Sequence, residues 1–231
     1  MYIGKSQNNE EIIINEIFKK LNIKKGKFFE IGVNNLNIDG TIECNSLNLM
    51  KQGWDGNLID AFYKHPLVVN KYVTVDNVKE IAEITNYDID FFSIDIDSYD
   101  WHIVYEILSK KILDVKVFCV ETNNYNGNCY LDRVLKLDAP CLYNMEKPIK
   151  SDAFGATTYS YNLLMEKFGY KLIASSINGI NAFFVKSEFS KYFPLSGDIE
   201  NIYLDSNNVK NYWNTKGNPA FMTTAEQLLK D

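Results

Sequence analysis

The chain has 231 residues, 46% of them hydrophobic and 23% charged, with a formal net charge of -6. That is the size of one sizeable α/β domain and the composition of an ordinary globular protein. The acid excess argues against a phosphate-tracking nucleic-acid binder, and no segment approaches the roughly 20 apolar residues that would span a bilayer.

In chain order, Asn9 to Leu21 places Ile12, Ile13, Ile17 and Leu21 at helical spacing after polar residues suited to capping. Lys27 to Ile31 is a short apolar strand ending at Gly32. Thr41 to Gln52 reads as a helix that Gly53 stops. Asn57 to Ala61 and Tyr72 to Val75 are the second and third strands, and Asp76 is placed to cap a helix from Asn77 to Ile84. Asp90 to Asp95 is a fourth strand, followed by a helix from Tyr99 to Ser109. Val115 to Val120 is a fifth strand, closed by Glu121. Tyr159 to Phe168 is helical, and the strands Tyr170 to Ser175 and Asn181 to Lys186 are joined by the turn Asn178-Gly179.

Alternating strands and helices, with strands continuously apolar, indicate a parallel sheet covered on both faces. The last two strands, joined so tightly, must be antiparallel to each other. The expected fold is therefore α/β and Rossmann-like, a seven-stranded class I methyltransferase sheet, mostly parallel, with a C-terminal antiparallel hairpin. A single domain is expected over residues 1–231, with its core at about 24–187. Residues 122–155 form an insertion rich in Tyr, Cys, Leu and Met, which favours an ordered lid. Residues 190–231 form a tail whose Tyr192, Phe193, Tyr203, Tyr212, Trp213 and Phe221 are too many aromatics for disorder. It is expected to pack on the domain or across a homodimer interface.

The N-terminal stretch MYIGKSQNNEEIIINEIFKKL lacks the basic start and cleavage site of a signal peptide, so a cytoplasmic protein is expected. Cys44, Cys119, Cys129 and Cys141 form no CxxC pair and are expected to be reduced, some of them as core fillers.

In open α/β sheets ligands bind beyond the carboxyl ends of the strands. Four strand ends here carry acids: Glu30, Asp60, Asp95 with Asp97, and Glu121. One such acid is as readily a solvated strand terminus, but four on one rim repel one another unless a ligand or cation compensates. The segment Phe28 to Asn34 is the expected cofactor turn. Gly32 lets backbone approach a ligand, and Glu30 is suited to accept from the ammonium group of a methionine moiety. Asp60 is placed to accept from ribose hydroxyls, and Asp76 and Asn77 are candidates for the adenine end. No GxGxxG follows the first strand, which favours an adenosine cofactor without a pyrophosphate.

Asp97, Glu121 and Asn123 supply hard oxygen ligands for Mg²⁺ or Mn²⁺. The competing reading is that Asp95 or Asp97 only caps the following helix. His102, just past the acids, is either a general base for an acceptor hydroxyl or a histidine of the helix surface. Asp95-Ile96-Asp97 also fits a metal-binding DxD of a glycosyltransferase, a short motif common by chance.

The segments FFEIGVNN, DGTIECNSLNLMKQGWDGNLIDA, FFSIDIDSYDWHI, VFCVETN and FGATTYSYNLLMEKFGYKLIASSINGINAFFVK, spanning residue 28 to about 187, resemble the FkbM-like family of S-adenosylmethionine-dependent methyltransferases. The resemblance implies that Glu30, Gly32, Asp60 and Asp95 face S-adenosylmethionine, with Asn45 and Ser46 near its methionine end. It implies O-methylation of a small-molecule sugar or nucleotide-linked sugar, and places Phe154 to Thr157 beside the substrate pocket. Two departures from the family pattern stand out: Asn35 to Ile38 lengthen the first loop, and His102 replaces an expected aromatic residue.

Overall fold

The computed structural model describes residues 10–36, 43–85, 87–124, 129–139, 154–176, 178–199, 202 and 222–230. The chain opens with α1 (Glu10–Lys20) and β1 (Lys27–Ile31), then α2 (Leu47–Lys51), β2 (Asp55–Asp60), β3 (Val68–Asn70) and α3 (Val78–Ala82). It continues with β4 (Asp88–Ile94), α4 (Asp100–Ser109), β5 (Asp114–Glu121), β6 (Val134–Leu135), α5 (Thr158–Lys167), β7 (Tyr170–Ser175) and β8 (Asn181–Lys186). A 3₁₀ turn (Ser187–Tyr192), β9 (Met222–Thr223) and α6 (Ala225–Leu228) complete the described elements.

Seven strands form one sheet in the order β3-β2-β1-β4-β5-β8-β7. The first five are mutually parallel, while β8 runs antiparallel to both of its neighbours. This is the Rossmann-like, mostly parallel sheet with a terminal hairpin expected from the sequence. Successive residues of a strand face opposite sides, and the phenylalanines show what that does here. Phe28, Phe91 and Phe183 pack with Ile14, Ile17 and Phe18 of α1 on one face. Phe29, Phe92, Phe118 and Phe184 pack on the other, against Val78 and Ile81 of α3, Ile103 and Ile107 of α4, and Leu164 of α5. Strands apolar at nearly every position are thus covered on both sides, and the largest buried side chains come from these two layers.

Two elements differ from the sequence expectation. The third strand is Val68–Asn70, not Tyr72 to Val75. Val68 and Val69 pair with Leu58 and Ile59, and the chain then leaves the sheet. Thr74 and Asn77 hydrogen-bond to each other through backbone and side chain, which curls this stretch into α3. Asn77 takes the cap position that Asp76 was expected to fill. The second helix begins at Leu47; residues 43–46 lead into it, with Asn45 and Ser46 in a turn, and residues 37–42 lie outside the described residues.

A second, two-stranded antiparallel sheet was not anticipated: β6, from the insertion, pairs with β9, from the tail. Asp132 reinforces this junction by accepting from Ser160 Oγ of α5 and from the backbone N–H groups of Ala225 and Glu226 at the start of α6. Thr157 caps α5 by accepting from Ser160 N. The described end of the tail therefore packs on its own domain. Tyr203, Tyr212, Trp213 and Phe221 of the tail, Tyr125, Asn126 and Asn128 of the insertion, and Cys141 lie outside the described residues. Cys44, Cys119 and Cys129 are buried and form no disulfide. Among the described residues no helix is long and apolar enough to cross a membrane.

Candidate functional site

A cavity of about 540 Å³ opens at the carboxyl ends of the parallel strands, well within the range of small-molecule sites. Of the residues expected to meet a cofactor or metal, Glu30, Gly32, Asn34, Asn45, Asp60, Asp95, Asp97 and Glu121 line it.

The turn after β1 is tightly built. Gly32 has φ of +90° and donates its N–H to Ile59 O, while Asp95 N donates to Ile31 O. A Cβ on Gly32 would lie 1.6 Å from the Asp95 carbonyl oxygen, so the ends of β1 and β4 touch only because this residue is glycine. Glu30 is buried, and its two oxygens accept the backbone N–H groups of Asn45 and Ser46, each at 2.7 Å. Its carboxylate clamps the 44–46 segment onto the end of β1. Burial raises the Glu30 pKa, and the hydrogen bonds from that segment only partly offset the effect. Ser46 is buried by this clamp and does not line the cavity. Asn45 reaches across the strand ends to donate to Ser93 Oγ at 3.0 Å, and Asn34 Nδ2 is held by Glu43.

Asp60 closes β2 and accepts from the backbone N–H groups of Phe62 and Tyr63 through Oδ1. That fixes the loop whose Phe62 and Tyr63, with Lys71 and Tyr72, form the cavity wall on this side. Asp76 is exposed and takes no part in the lining, because the chain has already turned into α3.

On the other side, ligand-type oxygens of Asp95, Asp97 and Glu121 all lie within 4.8 Å of one another. Asp97 sits at φ of +55°, a left-handed conformation that aspartate tolerates better than most residues. The loop is held by Asp100, whose carboxylate accepts from Ile96 N and Ser98 N. Asp100 is thus the helix-start clamp that was considered for Asp95 or Asp97, which leaves those two facing the cavity. Burial pushes the Asp100 carboxyl up to about 6. Burial, then the neighbouring carboxylates, push Asp95 and Glu121 well above the ordinary range. Glu121 is buried, and its Oε2 has no partner among the described residues. Three converging hard oxygen donors with an orphaned buried lone pair fit a divalent cation such as Mg²⁺ or Mn²⁺. Asn123 is buried beside Gly155 and does not line the cavity.

His102 does not line the cavity. It is buried on α4, its Nε2 lies 2.7 Å from Leu135 O, and its ring makes edge contacts with Trp101 and Tyr99. The carbonyl partner requires the proton on Nε2, and burial lowers the imidazole pKa. It ties α4 to β6 and does not reach an acceptor in the cavity. His102→Ala is therefore expected to leave turnover within about threefold and to cost about 1–3 kcal/mol of stability, since a buried carbonyl loses its donor. Folding favours the neutral ring, so this contribution is complete above the ordinary value of 6.5 and is lost as pH falls below it. The melting temperature of the variant should fall less steeply than that of the wild type on the acid side of 6.5. A large loss of turnover in a well-folded variant would return His102 to the reaction.

Glu10, Glu43, Lys71, Tyr72 and Asn181 also line the cavity without having been expected there. None carries a local sequence signal; only the sheet order brings them to one rim. Phe154 to Thr157 do not line the cavity; Ala156 bridges to Val134, and Thr157 caps α5.

No family model and no curated protein matches this chain. Among solved structures, it is similar to the MycE methyltransferase from the mycinamycin biosynthetic pathway in complex with Mg and SAH, at 12% identity and a TM-score of 0.33, over 48% of this chain and 33% of that one. The same methyltransferase in complex with Mg, SAH and mycinamycin VI gives 11% identity and a TM-score of 0.43, over 76% of this chain and 48% of that one. The chain spans between a third and a half of the length of these structures. Likeness this distant carries nothing about activity, and the fold assignment rests on the sheet order itself.

Proposed function

We propose that the protein is an S-adenosylmethionine-dependent O-methyltransferase acting on a sugar hydroxyl, with a divalent metal at Asp95, Asp97 and Glu121. The acceptor in this reading is a nucleotide-linked sugar or glycan precursor for a capsule or other surface polysaccharide, modified in the cytoplasm by one domain that forms a homodimer. The supporting observation is the charge of the cavity at the strand ends. Seven carboxylates, Glu10, Glu30, Glu43, Asp60, Asp95, Asp97 and Glu121, line it with a single lysine, Lys71. Such a lining attracts a cofactor carrying a sulfonium and an ammonium group and disfavours the pyrophosphate of a dinucleotide cofactor in its place. The resemblance of the EIG turn, the SIDIDSYDW block and the late NGINAFFV block to FkbM-like methyltransferases points the same way.

In this arrangement Asp60, at the end of β2, accepts from the ribose hydroxyls, and the wall formed by Phe62 and Tyr63 meets the adenine. Gly32 lets the backbone approach the cofactor, and Glu30 holds the 44–46 segment in place. Asp95, Asp97 and Glu121 would hold the cation. The bound cation would supply Lewis acidity, lowering the pKa of the acceptor hydroxyl so that its proton leaves without a histidine base. The methyl group passes in line from sulfur to that oxygen, giving the methyl ether, S-adenosylhomocysteine and a proton.

Calorimetric titration with S-adenosylmethionine, followed by labelled methyl transfer to a panel of nucleotide sugars with and without Mg²⁺, tests the reading. Binding of the cofactor and metal-stimulated labelling are the expected results. No cofactor binding at millimolar concentration would overturn it. Binding of a nucleotide sugar with Mn²⁺ in its place would favour a glycosyltransferase using Asp95-Ile96-Asp97.

A further inference from the structure

Both oxygens of Glu30, the carboxylate expected to meet the methionine ammonium group, already accept backbone N–H groups of the 45–46 turn. A second carboxylate stands nearby. Glu10 opens α1, is 1% exposed and lines the same cavity. Helix α1 lies along the sheet face carrying Phe28, Phe91 and Phe183, so its first turn arrives at the carboxyl ends of the parallel strands. Glu10 is close enough to Asp95 and Cys119 for its charge to help raise the pKa of both.

Glu10 is joined to the last part of the sheet. Its Oε1 accepts from Asn181 Nδ2 at 3.0 Å, and Asn181 begins β8, directly opposite Glu121 of β5. Asn181 is 3% exposed and also lines the cavity, and its Oδ1 has no partner among the described residues. A buried amide oxygen beside a carboxylate, both at the wall of a cavity, is a place for a cationic donor.

Sheet order sets the distance. Asp60 ends β2, whereas Asn181, which holds Glu10, begins β8 on the far side of β4 and β5. With strands about 4.8 Å apart, the strand ends are roughly 14–19 Å apart along the rim, and the side chains at both ends reach in to line the same cavity. An adenosine with its ribose at Asp60 would extend its amino-acid tail in this direction, past Gly32.

We propose that Glu10 and Asn181 bind the α-ammonium group of the methionine moiety, Glu10 through its carboxylate and Asn181 through Oδ1. The inference rests on the S-adenosylmethionine reading above and adds to it a residue from outside the segments that resemble the methyltransferase family. The ammonium group donates to both oxygens, and its charge offsets that of the buried Glu10 carboxylate. Glu10 thereby makes α1 part of the cofactor site, as well as a cover for the sheet.

The test compares S-adenosylhomocysteine with its analogue lacking the α-amino group, by competition binding to wild type and to Glu10→Gln. Glutamine keeps the volume and an acceptor for Asn181 and removes the charge. Glu10→Gln is expected to weaken S-adenosylhomocysteine by about tenfold or more and to leave the amino-free analogue within about twofold of its wild-type affinity. Asn181→Ala should show the same selectivity for the amino group with a smaller loss, and it supplies the readout if Glu10→Gln does not fold. Equal weakening of both ligands assigns Glu10 a structural role and overturns the proposal, as does unchanged affinity for both. Failure of the wild type to bind S-adenosylhomocysteine at all defeats the methyltransferase reading, which is a separate result.

Discussion

Glu121→Gln is expected to reduce metal-dependent methyl transfer by about a thousandfold, the loss that goes with several kcal/mol of Lewis-acid stabilisation. The substitution is isosteric and removes one charge from the three-carboxylate group, and Asp97→Asn should act alike. Affinity for S-adenosylmethionine should change little, because Asp60 and Gly32 are untouched. The same substitution should not weaken the metal-free fold. Burial and neighbouring acids raise the folded pKa of Glu121 well above its ordinary 4.5. A group raised in this way contributes stability below its unfolded value and loses that contribution as pH climbs towards the folded value. The metal-free wild type should therefore lose melting temperature as pH rises from about 4.5 towards neutrality. Glu121→Gln should fall less steeply and melt at or above the wild type at neutral pH. Mg²⁺ should raise the melting temperature of the wild type and release protons on binding, since its ligands must be deprotonated. Turnover that persists undiminished in EDTA, or in the variant, would remove the metal from the reaction.

Gly32→Ala should have the largest effect on the fold. Two terms act there: a left-handed φ of +90° and a Cβ placed 1.6 Å from the Asp95 carbonyl oxygen. Gly169 separates them, with φ of +80° and nothing within 4 Å of an added Cβ. Gly169→Ala is expected to cost only the backbone strain, about 1–2 kcal/mol. Gly32→Ala is expected to cost about 4 kcal/mol or more in urea unfolding, because β1 and β4 must part to admit the methyl group. Since that junction positions Asp95 against the turn after β1 at the cavity wall, binding of S-adenosylmethionine should be lost even where the protein remains folded. Equal costs at the two glycines would show that the close approach of the strands is not needed.

Sequence periodicity carried most of the sheet because its strands are apolar on both faces, a signal confined to parallel sheets buried on both sides. Val68–Asn70 escaped it: a three-residue edge strand leaves too short a run, and the aromatic and β-branched stretch from Tyr72 to Val75 drew the assignment instead. The acids at strand ends were legible because topology alone sends them to one rim. Their division of labour was not. Glu30 and Asp100 hold loops through backbone N–H groups, while Asp95, Asp97 and Glu121 converge, and only hydrogen-bond geometry distinguishes these uses of a carboxylate. His102 was read from its place beside the acids, but the helical turn carries its ring away from them towards Leu135. Glu10 and Asn181 meet through contacts between distant parts of the chain, which no local pattern encodes.

The pairing of β6 with β9 bears on the order in which the chain assembles. Val134 and Thr223 are joined across the whole α5-to-tail segment, a longer separation than any pair in the main sheet, and the ladder they close is only two residues long, so it returns few contacts for the loop it must order. The main sheet can form before it, and the tail must then be captured by Asp132 and Leu135 in a late, separate step. Refolding should accordingly show a slower phase that reports on α6 and β6 but not on the phenylalanine layers, and deleting residues 222–230 should abolish that phase alone.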